Sequence, residues 1–317
     1  MLREKLLMFG GDNKPMKSDS ELMNELAKRT NYLRELTETE RRALKKALLN
    51  MYIDIAHLCE EHHLTVLLCG GSCLGAIRHQ GFIPWDDDLD LLMPRRDYEQ
   101  LISLLEQGAL GDNYEFNAPN AKTDCKNVFM KIYRRNTLNV DIYSVNSPFP
   151  KGISIDVFAL DSMPKTKFMQ RVKGLIANAL QFISIMVLYA QYPSKQLCEF
   201  MSLDKEMKRR YRLKRFLGSI FGIIPHRKWV WWFDCFVASS REDAPLGIPT
   251  GRKYYAGEIF PKDVYLPGRE VSFEGVKAFI PNQYDPYLRN LYKDYMVLPP
   301  MNKRERHFII DFKLSEG

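Results

Sequence analysis

The sequence predicts an α/β (α+β) fold, with a mixed-sheet core, a helical insertion and a C-terminal extension. Three observations predict it. Short apolar runs ("LTVLLC", "DLDLLM", "KNVFMKIYRR", "GISIDVFALD") alternate with amphipathic helical patterns over the first half of the chain. Residues 162–240 lose that alternation and read as helical, apolar and basic. Residues 250–317 return to short strands, turns and aromatics. The 317 residues divide accordingly into an N-terminal arm (1–36), a core (37–161), a helical region (162–249) and a C-terminal segment (250–317).

Each element has a local reason. "TETE" (Thr37–Glu40) is a capping box: a threonine side chain can accept from the backbone N–H three residues on, while the glutamate reaches back. It opens a helix whose Leu44, Leu48, Met51, Tyr52, Ile55, Leu58 and Cys59 share one face at the 3.6 period. "LTVLLC" (Leu64–Cys69) reads as a buried strand, and "GGS" turns it into the short helix "CLGAIRHQ". "DLDLLM" is a second strand, followed by the amphipathic helix "RRDYEQLISLLEQ" with Tyr98, Leu101, Ile102 and Leu105 inward. "KNVFMKIYRR" and "GISIDVFALD" add two more strands.

Composition is ordinary for a globular protein, 45% hydrophobic and 27% charged, which excludes a disordered chain. The net charge is +7, with much of the excess in "KEMKRRYRLKR" (Lys205–Arg215). Such a block is either a solvated helix face or a surface for anionic lipid or a polyanionic acceptor. On its own it does not make a nucleic-acid footprint, and no nucleic-acid partner is expected. Six cysteines without a CxxC pair read as reduced core thiols, which implies the cytoplasm. The first residues contain no long apolar stretch, so no signal peptide is expected. "GLIANALQFISIMVLYAQYPS" (Gly174–Ser194) carries no charge. Three placements are open to it: a buried helix, a helix lying in the membrane interface, or a span. Trp229, Trp231 and Trp232 suit a headgroup boundary, so peripheral contact with the inner face of the cell membrane is one of the readings.

The densest chemistry lies in "CGGSCLGAIRHQGFIPWDDDLDLLM", where four aspartates fall in the five positions 86–90. Side chains alternate along a strand, so Asp88 and Asp90 project together while Leu89 and Leu91 face the core. Paired carboxylates repel unless a cation lies between them, and a hard divalent ion such as Mg2+ (or Mn2+) takes carboxylates, water and substrate phosphate. Gly70 and Gly71 let the backbone approach a ligand, the following helix N-terminus favours an anion, and Ser72 adds a hydroxyl. Asp156 is an acid between Ile155 and Val157 in an apolar strand, costly there unless paired or metal-bound. Asp161 reads instead as a turn or cap residue.

Further candidates each carry a bland alternative. Arg78 and His79 either touch donor phosphate or are surface residues. Lys131 and Arg134 are donor contacts or a solvated strand face. Trp85 suits stacking on a base or a quaternary ammonium group, and Tyr287, Tyr292 and Tyr295 are cage members or core aromatics. His307 is catalytic or structural. His57, His62 and His63 lack zinc spacing with any cysteine.

"GGSCLGAIRHQGFIPWDDDLDLLMPRRDYEQL", with "SIDVFALD" and the tail "YLRNLYKDYMVLPPMNKRERHF", resembles the LicD family of phosphocholine transferases. That family belongs to the nucleotidyltransferase-like superfamily and has fukutin and fukutin-related protein as distant relatives. The resemblance spans about Leu64 to Phe308. It implies a nucleotidyltransferase-like core and metal-dependent transfer of a phospho-alcohol from a CDP-activated alcohol donor, usually CDP-choline. The implied acceptor is a sugar hydroxyl of a cell-surface glycan or lipid-linked glycan, with CMP leaving. The family pattern carries over as Gly70, Gly71 and Ser72, then Asp88 and Asp90, then Asp156, the last as metal ligand or general base. Competing expectations are transfer of ribitol or glycerol phosphate, nucleotidyl transfer with pyrophosphate release, and a non-catalytic nucleotide- or glycan-binding module. The module is disfavoured because all three acids are present.

Overall fold

The computed structural model describes residues 25–120, 122, 124–301, 304 and 307–314. Residues 1–24 of the predicted arm, and parts of the tail motif after Met301, lie outside the described residues.

Helix α1 (Glu38–Glu61) starts on the predicted capping box. The Glu40 N–H donates to Thr37 Oγ1 at 3.2 Å and the Thr37 N–H donates to Glu40 Oε2 at 2.9 Å. All seven residues predicted for its inner face are buried, joined by Ala47. Strand β1 is shorter than the apolar run suggests, only Leu67–Leu68. Helix α2 (Gly70–His79) then begins on the first glycine, so Gly-Gly-Ser forms the first helical turn rather than a separate loop. Strand β2 (Asp90–Pro94) follows and leads directly into α3 (Arg95–Glu106). Tyr98, Leu101, Ile102 and Leu105 of α3 are buried as the periodicity requires. Each such side chain contributes about 1.5–3 kcal/mol by leaving water.

Strands β3 (Tyr114–Asn117), β4 (Met130–Arg134), β5 (Leu138–Asp141) and β6 (Ser154–Ser162) complete the first half. The main sheet runs β1-β2-β6-β4-β3, with β2 and β6 parallel and the other pairs antiparallel, the mixed α/β arrangement expected. Strand β6 sits in its middle. Its first residues alternate between half-buried and buried, and everything from Val157 onward is buried. One end of this strand is therefore partly accessible while the other is enclosed.

The helical region comprises α4 (Lys167–Gln191), α5 (Lys195–Met201), α6 (Lys205–Phe221) and α7 (His226–Val237). It is joined to the sheet by apolar contact: Ala177, Val230, Phe233 and Val237 belong to the same buried cluster as the strands. A second cluster unites Leu26 and Leu33 of the arm with Ile142, Tyr189, Phe200, Tyr211 and Phe308. Helix α4 is long and apolar enough to cross a membrane by length and composition, yet half of its apolar window lies inside the protein.

The C-terminal segment adds β7 (Leu246–Gly247), β8 (Ile259–Phe260), α8 (Lys262–Tyr265) and the β9–β10 hairpin (Arg269–Phe273, Val276–Ile280). Helix α9 (Tyr284–Tyr292) and β11 (Ile309–Lys313) follow, the latter pairing with β5. Strand β7 extends the main sheet at the enclosed end of β6. Of the cysteines, Cys59, Cys69, Cys73 and Cys125 are buried thiols, but Cys198 and Cys235 are exposed. The expectation of core thiols holds for four and fails for two, which lie on outer faces of α5 and α7.

Candidate active site

The glycine turn and the acids converge. Gly70 has φ +52°, a left-handed conformation that disfavours any side chain, and its N–H donates to the buried Tyr287 hydroxyl at 3.0 Å. A Cβ on Gly70 would stand 3.3 Å from Asp90 Oδ2, and one on Gly71 would stand 2.9 Å from Asp86 Oδ2. The positive end of α2 thus faces two carboxylates, the placement the helix dipole favours. Both glycines remain partly accessible.

The Ser72 hydroxyl does a different job from the one expected of it. Ser72 is buried, and its Oγ accepts the Asp90 N–H at 2.9 Å, tying the first turn of α2 to the start of β2. The strand begins only at Asp90, so Asp88 lies in the extended approach to it, exposed, while Asp90 is half-buried.

Register places the other acid. Asp90 pairs with Asp156 across the parallel β2–β6 ladder, and Asp156 pairs with Lys131 across the antiparallel β6–β4 ladder. Paired residues on neighbouring strands share a face, so the row Asp90–Asp156–Lys131 crosses three strands on one side of the sheet. The Lys131 ammonium engages Asp156 Oδ1 and also reaches Ser154 Oγ at 3.3 Å. Burial pulls the Lys131 ammonium down, but the adjoining Asp156 carboxylate outweighs it, and the net effect is upward. Asp90 is pushed well above the usual carboxylate range, first by burial and then by the Asp88 and Asp156 charges. Among the described residues, Lys131 is the ammonium hydrogen-bonded to this row, at Asp156.

Three carboxylates are the hard oxygen donors that Mg2+ or Mn2+ takes, but among the described residues Asp88, Asp90 and Asp156 are not a set whose oxygens all lie within 4.8 Å of one another; the upward push on Asp90 comes first from burial and then from the other two charges. A neighbouring group, Asp86, Asp87 and His307, brings one ligand-type atom each within 4.8 Å of one another, with His307 Nδ1 against Asp87 Oδ1. His307 arrives from the C-terminal segment, a proximity that spacing along the chain does not reveal.

Beside the turn lies a cavity of about 230 Å³ lined by Gly71, Arg78, Trp85, Asp86, Arg252, Tyr292 and Arg304, among others. Arg78 and Trp85 line it as donor contacts would, although Arg78 Nη1 also donates to the Tyr295 carbonyl at 2.7 Å. The Trp85 ring already has the Arg304 guanidinium 4.0 Å from its centre and that of Arg78 at 5.9 Å. His79 is turned away from that role: its Nε2 accepts from Arg78 Nε at 3.0 Å, and burial, then Arg78, lowers its basicity. Of the three tyrosines, Tyr287 and Tyr295 are buried, and only Tyr292 is half-buried at the cavity, with Arg252 5.4 Å from its ring centre. Neither Arg252 nor Arg304 is a sequence-level candidate: Arg252 lies outside any motif, and Arg304, though within the tail motif, has nothing local to set it apart from its basic neighbours.

Glu258 also escaped notice. It is buried, and burial pushes its carboxyl up to about 7 against the backbone N–H groups of Lys253 and Arg252. Asp161, expected at a turn or cap, is instead wholly buried within β6. Its two oxygens accept from Arg95 Nε and Nη2, both at 2.8 Å, and Oδ1 also takes the Ser239 N–H. An apolar strand can hold that charge because a guanidinium in fork geometry meets it.

Comparison with known proteins bears on the same residues. Residues 63–173 match the family model described as LicD/FKTN/FKRP, nucleotidyltransferase domain. The chain is 24% identical over 281 residues to the lipopolysaccharide cholinephosphotransferase LicD of Haemophilus influenzae, covering 81% of this chain and 92% of that protein. An uncharacterized protein of Rickettsia prowazekii is 29% identical over 129 residues, 39% of this chain and 48% of its own. One from Rickettsia typhi is 33% identical over 72 residues, 22% of this chain and 23% of its own. Residues 63–173, which hold the glycine turn and the acids of β2 and β6, thus form a nucleotidyltransferase domain of the LicD family.

Proposed function

We propose that this protein is a phosphotransferase of the phosphocholine-transferase type. In this reading it moves phosphocholine from CDP-choline to a sugar hydroxyl of a cell-surface glycan or its lipid-linked precursor, and CMP leaves. The observation that carries the reading is the in-register row Asp90–Asp156–Lys131 beside Asp88 and the amino end of α2, within a LicD-family domain. Its similarity over most of both chains to an enzyme that acts on lipopolysaccharide supports a glycan acceptor.

Asp88, Asp90 and Asp156 are the residues that would hold Mg2+ or Mn2+. When bound, such an ion withdraws charge from the donor's phosphate oxygens. The chain's own groups do the rest. The accessible backbone of Gly71, with Arg78, Arg252 and Arg304 around the cavity it lines, binds and orients the anionic donor, while Gly70, its N–H held by Tyr287, shapes the turn. The acceptor oxygen bonds to the phosphorus that carries the alcohol, the phosphorus–oxygen bond to CMP breaks, and CMP departs with the electron pair. Asp156 keeps Oδ1 on Lys131, which leaves Oδ2 to ligate or to accept the hydroxyl proton. The cytoplasm supplies CDP-linked donors and is the compartment this reading requires.

The test is a donor panel of CDP-choline, CDP-ribitol, CDP-glycerol and CTP with product masses recorded. CMP and a phosphocholine-bearing sugar from CDP-choline are expected. Preference for CDP-ribitol or CDP-glycerol would change the alcohol but keep the reaction. Pyrophosphate release from CTP would replace it with nucleotidyl transfer, and no product from any donor would point to a binding module.

A further inference from the structure

We propose that the face built from α4, α6 and the start of α7 docks on a phospholipid bilayer bearing anionic headgroups. The inference does not rest on the reaction assigned above.

Helix α6 carries one continuous stripe on its outer side. Lys205, Arg209 and Arg212 come first, all exposed, and Leu213, Phe216, Ile220 and Ile223 follow, exposed as well. At 3.6 residues per turn the six from Lys205 to Ile220 fall within an arc of about 100°, and Ile223 lies in the turn just past the helix. Its opposite side, Met207, Tyr211 and Gly218, is buried within the protein. A soluble face would not place Phe216 at 65% and Ile223 at 87% exposure on the line of its own arginines. With cations on the first turns and apolar side chains on the last turns of the same side, the helix can meet a bilayer at a tilt, its arginines at the phosphates and its C-terminal end at the acyl boundary.

The apolar surface continues beyond α6. Phe221 meets Trp229 edge-on at 5.8 Å, Trp229 meets Trp232 at 5.1 Å, and Trp231 and Trp232 are both exposed. Phe236, one turn on from Trp232, has the Lys173 ammonium of α4 5.6 Å from its ring centre. Next to Lys173 the first half of α4 exposes Phe168, Val172, Leu175 and Ile176 at helical spacing, Leu175 at 73%. The second half, from Ser184 to Tyr189, is buried, so α4 is anchored in the protein and presents only its opening turns.

Charge decides among occupants. Residues 165–237 contain fourteen Lys and Arg against four Asp and Glu, whereas the whole chain is only +7. One of the four acids, Asp234, and two of the fourteen cations, Arg210 and Lys214, are buried, so the excess persists at the surface. A second copy of the chain would set this excess against itself, which like-charge repulsion opposes. A polyanion alone would leave the phenylalanine, isoleucine and tryptophan side chains in water. An anionic bilayer satisfies both chemistries.

The experiment is sedimentation of the full chain with vesicles of phosphatidylcholine alone and of phosphatidylcholine with 30% phosphatidylglycerol, in low and high salt. Light scattering without vesicles gives the oligomeric state. Binding is expected to the mixed vesicles, at least tenfold weaker to the neutral ones and weakened by salt. Phe216→Asp with Ile220→Asp, and separately Arg209→Glu with Arg212→Glu, should each reduce it at least tenfold. Ile223→Glu, beyond the end of α6, should also weaken binding with an unchanged melting temperature, which separates lost docking from lost folding. A wild-type chain that stays in the supernatant with the mixed vesicles overturns the proposal. So does binding that none of the three variants weakens, or a dimer that Ile223→Glu converts to monomer.

Discussion

Asp156 and Asp161 lie on the same strand five residues apart, so they face opposite sides of the sheet. Asp161 is sealed under α3 and α7 and fully matched: Arg95 grips both oxygens, and Arg95 Nη1 also reaches Asp234 Oδ1 at 2.9 Å. Asp156 sits at the open end with one ammonium for itself and two further carboxylates, Asp88 and Asp90, nearby. Both are acids in an apolar strand, and composition cannot tell them apart. Hydrogen bonding and burial separate them: Arg95 and the Ser239 N–H occupy both oxygens of the wholly buried Asp161, whereas the partly accessible Asp156 has Lys131 on Oδ1, so the first serves the fold and the second is available for chemistry.

The comparison breaks most sharply at the enclosed end. Arg95→Met leaves Asp161 and Asp234 without their cation, and should cost about 3–5 kcal/mol of stability, read by urea denaturation. Activity per folded molecule should hold at temperatures where the variant is still folded. At the open end, Asp90→Asn should lower transfer about 10²–10³-fold, equivalent to about 3–4 kcal/mol in the barrier. Its melting temperature should stay level or rise, because the charge removed is one that burial and its neighbours already oppose. A variant that lost stability and kept turnover would reverse the roles assigned to the two ends.

Glu258 sharpens the contrast through pH. Its folded-state carboxyl lies at about 7 against an ordinary 4.5, raised by burial. The stability it supports is therefore fully present below about 4.5 and is lost as pH rises through about 7. Glu258→Gln should remove that slope, raising stability at pH 8 relative to the parent by up to about 3 kcal/mol, measured by melts across pH 4–8. Lys131→Met is the mildest test. It frees Asp156 Oδ1 and adds one net negative charge to the row, so Mn2+ should bind about 3–10-fold more tightly at low ionic strength, an advantage that salt screens away.

Much of this was legible in the sequence because it is written in local pattern. The capping box at Thr37, the inner face of α1, the α3 stripe and the acid inside "SIDVF" each depend on neighbours within a few residues. The family signature covers the same stretch. What could not be read depends on contacts between residues tens to hundreds of positions apart. Ser72 was assigned to a ligand because nothing local reveals that its hydroxyl takes the Asp90 N–H. Asp161 looked like a cap because its guanidinium lies 66 positions earlier in the chain. The arginines around Trp85, and His307 against Asp87, arrive from the C-terminal segment, which folds back over the turn. For α4, period and hydropathy left three placements open, and the packing of Ser184 to Tyr189 put its second half inside the protein.

The most direct test of the account is Mn2+ binding by calorimetry or electron spin resonance, comparing the parent with Asp90→Asn and Arg95→Lys. The account predicts saturable Mn2+ binding by the parent, at least tenfold weaker binding by Asp90→Asn at an unchanged melting temperature, and parental binding by folded Arg95→Lys. Parental Mn2+ affinity in Asp90→Asn would contradict it.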